Sequence, residues 1–310
     1  MINIRPYIVL LVIVVTGWSC ETRIDPSLPE APEITFVDAW INNKPEPQVI
    51  RIKKTLPYFE NQEFPGVSDA DVRIIDNENN EFIFNESEQT EGEYVWTPPS
   101  DSVGFGKIGN RYTLTVVLDD MILESTSRMN RVPEIDSINF RFEEGNSFFN
   151  DSYFAQFYAV DPEGTGDTYW IKAYKNGVYL NKPSELNIAY DAGFSAGSEV
   201  DGINFIQPIR DGINPFELDE NDEFISPYAP GDSVYVELHS VTNEAFYYLT
   251  QVVVQIDRPG GFAELFATPL SNVITNVVNT SNDQEVIGFF NVSAVSTKSD
   301  WLDPNDLPTE

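Results

Sequence analysis

The chain holds one cysteine, one histidine and three methionines in 310 residues. A single thiol excludes an intramolecular disulfide and any zinc cluster built on cysteines, and a single imidazole removes almost every His-dependent metal site or triad. Positive charge is also scarce: 18 Lys and Arg stand against 50 Asp and Glu, a formal net charge of −32. Phosphate backbones are bound by clustered Lys and Arg, so nucleic acid is excluded as a partner. No apolar run reaches the roughly 20 residues that a membrane-spanning helix takes. A Gly-rich phosphate loop, a GxSxG elbow and an HExxH pair are all missing. The chain reads as a non-enzyme. What it does have is 41% hydrophobic and 13% aromatic residues, enough for a globular body despite the charge. At about 150 residues per domain, the length suggests two domains.

Residues 1–20 read MINIRPYIVLLVIVVTGWSC, with Arg5 ahead of an unbroken apolar run from Tyr7 to Val15. That run is too short to span a bilayer and has the proportions of a signal-peptide core. Cys20, behind Gly17-Trp18-Ser19, resembles a bacterial lipoprotein cleavage site, although Trp18 is unusual and Gly17 stands where Leu is commonest. The resemblance implies removal of residues 1–19 and acylation of Cys20. Residues 20–32, with Pro26, Pro29 and Pro32, then form an extended tether.

The body reads as mainly β, in two sandwich-like units of immunoglobulin or prealbumin type, at 33–132 and 133–310. In the first, strands are expected at Ile34–Ile41, Gln48–Lys54, Asp71–Asp76, Glu81–Asn85, Gly92–Trp96, Arg111–Leu118 and Met121–Ser127. Asn79-Asn80 and Asp119-Asp120 sit between strands, where residues tolerant of positive φ favour tight hairpins. The stretches Asp69–Asp76, Gly92-Glu93-Tyr94 and Tyr112-Thr113-Leu114 resemble carboxypeptidase-regulatory-like sandwiches.

Pro133 marks the boundary, because proline resists continuing a strand pair. Beyond it strands are expected at Ile135–Glu143, Tyr153–Val160, Thr168–Lys175, Val178–Asn181, Ser233–Ser240 and Val286–Ser296. Asn176-Gly177 is the strongest hairpin signal in the chain. Residues 183–228 lack periodicity and read as long loops. One packed helix is expected near 243–257, with Thr242 as N-cap and Ala245, Phe246, Leu249, Val252, Val253 and Ile256 on one core-facing side.

Three groups of residues suggest a family. Cys20-Glu21 is followed by Ile24-Asp25 and Leu28-Pro29. The block SVYVELHSVTNEAFYYLTQVVVQ spans Ser233–Gln255. Pro269, Asn272-Val273 and Asn276 lead to Val286-Ile287-Gly288-Phe289-Phe290. Together they resemble the Bacteroidota lipoproteins of domain-of-unknown-function family 4249. That resemblance implies a lipid-anchored outer-membrane protein, with the cell-surface face favoured and the periplasmic face left open, of a kind often encoded near TonB-dependent transporters. It implies no ligand.

Candidate chemistry is confined to acidic loops. Asp161, Glu163 and Asp167 surround two glycines, and Asp219, Asn221 and Glu223 place oxygens at alternate positions. Calcium takes six to eight oxygen ligands, so these six residues are the candidate calcium ligands, although neither loop has EF-hand spacing. His239 beside Glu237 reads as a structural histidine. Of the aromatic pairs Tyr58-Phe59, Phe148-Phe149, Phe157-Tyr158, Tyr169-Trp170 and Tyr247-Tyr248, alternation along a strand sends one member of each to the core. The expected function is a non-catalytic binding or accessory role beside a TonB-dependent transporter. The alternative is adhesion or envelope scaffolding.

Overall fold

The computed structural model of the chain describes residues 32–57, 60, 62–145, 150–197, 199–258 and 260–305. The signal segment, Cys20 and the tether up to residue 31 lie outside the described residues, as do the pairs at 58–59 and 148–149.

Seven strands arise where the first unit was expected to have them: β1 (Thr35–Asn42), β2 (Gln48–Lys54), β3 (Asp71–Asp76), β4 (Glu81–Glu86), β5 (Glu93–Trp96), β6 (Arg111–Leu118) and β7 (Met121–Arg128). Their period of two is plain in the packing. Val37, Ala39 and Ile41 of β1 point inward with Tyr112, Leu114, Val116 and Leu118 of β6, while the residues between them reach solvent. Asn79 and Asp119 take φ of 64° and 49° at the tight turns, the conformation the sequence assigned to those positions.

The unit is not completed by these strands alone. β14 (Val278–Asn279) and β15 (Val286–Ser293) return from late in the chain, giving the order β14-β7-β6-β3-β4-β5-β2-β1-β15. β15 runs parallel to β1, with Thr35 opposite Val286 and Asn42 opposite Ser293. Gly288 permits that approach: its φ is +143° and a Cβ there would lie 2.2 Å from the Val37 carbonyl oxygen. Ser127 of β7 accepts the Val292 N–H at 3.0 Å, so the sheet curls back on itself and nearly closes. Its core takes Val277, Val286, Phe290, Val292 and Ala294 along with the N-terminal residues. The expected second unit, 133–310, is therefore discontinuous.

The remaining chain builds a second layered unit. β10 (Thr168–Lys175), β11 (Val178–Tyr179), β12 (Asn187–Tyr190), β13 (Ser233–Val241) and β16 (Val295–Trp301) form one sheet, ordered β11-β10-β13-β16 with β12 also on β10. The hairpin of β8 (Ser137–Glu143) and β9 (Ser152–Tyr158) forms a second layer. Ile138, Ala155 and Phe157 share a core with Tyr169, Ile171, Val236 and Leu238. Asn176 and Gly177, at φ 50° and 78°, make the expected tight turn, but β11 stops at Tyr179. Residues 183–228, expected as loops, contain β12 and the short helix α1 (Gln207–Asp211), whose Ile209 is buried. The single strand expected at 286–296 is two: β15 in the first sheet and β16 in the second. Between them Ala294 is pinned by exchanging hydrogen bonds with Ser240, N–H to Oγ at 3.0 Å and carbonyl to N–H at 2.9 Å.

Helix α2 (Asn243–Ile256) starts at Thr242, whose side chain accepts the Ala245 N–H at 3.2 Å. Ala245, Phe246 and Leu249 are buried, yet Val252 and Val253 are only half-buried and Ile256 is 45% exposed. The expected core stripe covers the first half of the helix alone. That half packs where the units meet, with Val241, Phe289, Trp40, Trp170 and Tyr190.

Candidate functional site

Loop 161–167 leads from β9 towards β10, and the turn after β12 faces it. Asp161 and Asp191 are both 1% exposed, and Asp201 is half-buried. One carboxylate oxygen of each lies within 4.8 Å of the other two. Asp161 accepts the Tyr169 hydroxyl at 2.6 Å and the Gly202 N–H at 3.3 Å. Asp191, at φ 50°, accepts the N–H groups of Gly166 and Asp167, and Asp201 accepts that of Gly164 at 2.9 Å. Burial pushes the Asp161 carboxyl up to about 6, and the negative charges of Asp167 and Asp191 add to the rise. The bonds from Tyr169 and Gly202 offset only part of it. The nearby cation, Arg131, pairs with Asp167 at 2.5 Å and donates to the carbonyls of Pro162, Glu163 and Gly164.

The six candidate calcium ligands lie on two separate loops, 161–167 and 219–223. Glu163 points to solvent and Asp167 is engaged by Arg131, so Asp161 meets Asp191 and Asp201 instead. Asp219 spends its carboxylate on its own turn, accepting the N–H groups of Asn221 and Glu223 at 2.8 and 2.9 Å. Those bonds hold it below the usual carboxylate range, and Asn221 and Glu223 are exposed. A hard cation would find three carboxylates at the Asp161 pocket, of which sequence reasoning identified one. Asp191 and Asp201 fell within the stretch read as loop. Their signal was the turn chemistry of Asp191-Ala192-Gly193 and Asp201-Gly202, which marks tight turns without saying where they meet.

A second polar centre joins the units. Glu237 is 4% and His239 5% exposed. Glu237 accepts Lys44 Nζ at 2.6 Å, the hydroxyls of Tyr235 and Tyr174 at 3.1 and 3.3 Å, and His239 Nε2 at 3.1 Å. Burial alone would raise its pKa, but the hydrogen bonds from His239 and Lys44, with the Lys44 ammonium charge, hold the carboxyl well below its ordinary range. His239 is pushed down to about 4, chiefly by burial, with the Lys172 ammonium also opposing its charge. It is a neutral, hydrogen-bonded core histidine, with no nucleophile beside it among the described residues. Lys172 lies 4.0 Å over the Trp170 ring. Of the Tyr169-Trp170 pair, Tyr169 is fully buried in the second unit, and Trp170, on the opposite face of the strand as alternation requires, packs half-buried on Trp40 where the units meet.

The family model for a domain of unknown function, DUF4249, matches residues 21–299. The chain belongs to this family. The match takes in both sheets, so the DUF4249 unit is the whole interleaved body and not either half. No curated protein and no solved structure matches the chain.

Proposed function

We propose that this DUF4249 protein is a non-catalytic, lipid-anchored accessory of the bacterial outer membrane that docks onto a TonB-dependent transporter and assists ligand capture. One observation carries the docking role. The outward side of α2 exposes Tyr247 and Val254, its last turn exposes Ile256 beyond the end of the packed stripe, and the segment after it exposes Leu270 and Ile274, each between 39% and 61% accessible. Large apolar residues exposed along one helix and the segment that follows it, on a protein this acidic, favour a surface that a partner covers. The anchor is supplied by acylated Cys20, which confines the protein to two dimensions beside the barrel and raises its effective concentration. The net charge of −32 favours cationic or neutral cargo over anionic cargo.

The test is a mild-detergent pull-down of the tagged protein from outer membranes, beside the double variant Val254→Asp, Ile256→Asp. A stoichiometric TonB-dependent barrel with the native protein, lost with the variant, is the expected result. Recovery of the native protein alone, or with envelope polymers, overturns the reading and favours adhesion or scaffolding.

A further inference from the structure

The second unit leaves two strand edges open to each other. β9 is covered on its far side by residues 204–228, where Asn214 bonds both the N–H and the carbonyl of Ala155 and Tyr228 bridges Tyr153. β8 pairs with β9 alone, and β16 is the last strand of its sheet. At one end the two free edges are tied by the Ile135 N–H, which donates to Ser296 Oγ at 3.0 Å. Between them lies a groove of about 430 Å³, lined by Phe140, Arg141, Phe142, Asp300, Trp301 and Asp303 among others.

The backbone of β16 is oriented to use this groove. Ser240 N–H bonds the Ala294 carbonyl, and Leu302 N–H bonds that of Asp232. Even-numbered residues therefore face β13, and by strand alternation Thr297, Ser299 and Trp301 direct their N–H and carbonyl groups to the open side. Trp301 N–H reaches only the carboxylate of its own neighbour, Asp300. Sheet edges are commonly blunted by a proline, a bulge or a covering element. Among the described residues β16 carries no proline, bulge or covering element; Lys298 is its one basic side chain, and the strand shows a 51% exposed Trp301 beside a groove that also exposes Phe142, 38% accessible. The groove is acidic: Asp300 and Asp303 stand free of ion pairs among the described residues, whereas Arg141 is engaged by Glu143 and Asp211.

We propose that this groove receives an extended, cationic segment of a partner polypeptide, which adds as a strand to the free edge of β16. Main-chain bonds to Ser299 and Trp301 hold it, its apolar side chains pack on Phe142 and Trp301, and its Lys or Arg side chains face Asp300 and Asp303. A second copy of this chain would bring the same carboxylates together and is disfavoured by charge. The α2 surface involves different residues, so either proposal can fail without the other.

The test is calorimetric titration of the chain from residue 21 onward with a ten-residue alternating Lys–Val peptide. The comparison peptides are an alternating Glu–Val peptide and a Lys–Val peptide N-methylated at every second residue. The first is expected to bind, and the other two at least tenfold more weakly. Ser299→Pro removes an outward N–H without touching the ladder to β13, and is expected to weaken binding at least tenfold with an unchanged urea midpoint. Asp300→Asn with Asp303→Asn is expected to weaken binding and flatten its salt dependence, and this arm decides should the proline variant unfold. No binding of the Lys–Val peptide overturns the proposal, as does equal binding of its N-methylated form.

Discussion

Glu237 and Asp161 are buried carboxylates of the same unit, and their surroundings shift their pKa values in opposite directions. Glu237 sits among donors: an ammonium, two phenols and an imidazole converge on it, and it stays ionised in the interior. Asp161 receives one phenol and one amide while facing two further carboxylates, so it holds its proton to about pH 6. Burial disfavours charge at both. The sign of the neighbouring charge decides the outcome. The first arrangement ties Lys44 of the β1–β2 connection to β13 and so fastens the two units together. The second is a strained acidic pocket that costs stability at neutral pH.

The sharpest way to break this comparison is Glu237→Ala. It strands Lys44 and His239 without their acceptor, and unfolding in urea is expected to show a loss of about 3–5 kcal/mol. A loss below about 1 kcal/mol would mean that the cluster does not fasten the units. Glu237→Gln should recover part of the loss, since its carbonyl still accepts.

Next in size are two opposed pH dependences. His239 has a folded pKa of about 4, below its ordinary 6.5, so the unfolded chain takes up the proton first and stability falls as pH drops from about 6.5 to 4. Asp161 has a folded pKa of about 6, above its ordinary 3.8. The folded state takes up that proton first, so stability rises as pH drops from about 6 to 4. Each contribution is on the order of 2 kcal/mol, and in the native protein they largely cancel. Asp161→Asn should expose the His239 slope, with stability declining on acidification from pH 6.5. His239→Gln should expose the opposite slope. Urea midpoints measured every half unit from pH 4 to 7 would separate them, and parallel profiles for both variants would refute the assignment.

The smallest expected effect is that of Arg131→Met. Arg131 is 46% exposed, so losing its pair with Asp167 should cost less than about 1 kcal/mol. Its removal takes away the one cation beside the acidic pocket among the described residues, and should move the Asp161 titration upward. A carboxyl resonance followed by carbon-13 NMR against pH would report the shift.

Local order was legible wherever a residue answers to its immediate neighbours. β2, β3, β6 and β10 have the bounds read from alternation, and Asn176-Gly177 and Thr242 do what turn and cap chemistry requires. The candidate site was legible only at Asp161. Carboxylates that meet from loops 161–167 and 191–201 share no period, and among 50 acidic residues no spacing distinguishes them. The helix was found but its buried side was overstated, because periodicity shows which residues share a face and not how far the packed surface beneath extends.

By itself the sequence determined the β class, most strand positions, the turns, the helix and its cap, since these depend on φ preference, alternation and hydrogen bonds a few residues apart. The tertiary structure alone decided that Val286–Ser293 returns to pair with β1, that Ala294 hands the chain from one sheet to the other, and that β8 and β16 face each other across an open groove. It also decided which carboxylates are neutralised and which repel. Those outcomes rest on contacts between residues from about 30 to nearly 200 positions apart, such as Asp161 with Asp191, Ser127 with Val292 and Lys44 with Glu237. Their energies arise from shared burial and charge, which no local pattern records.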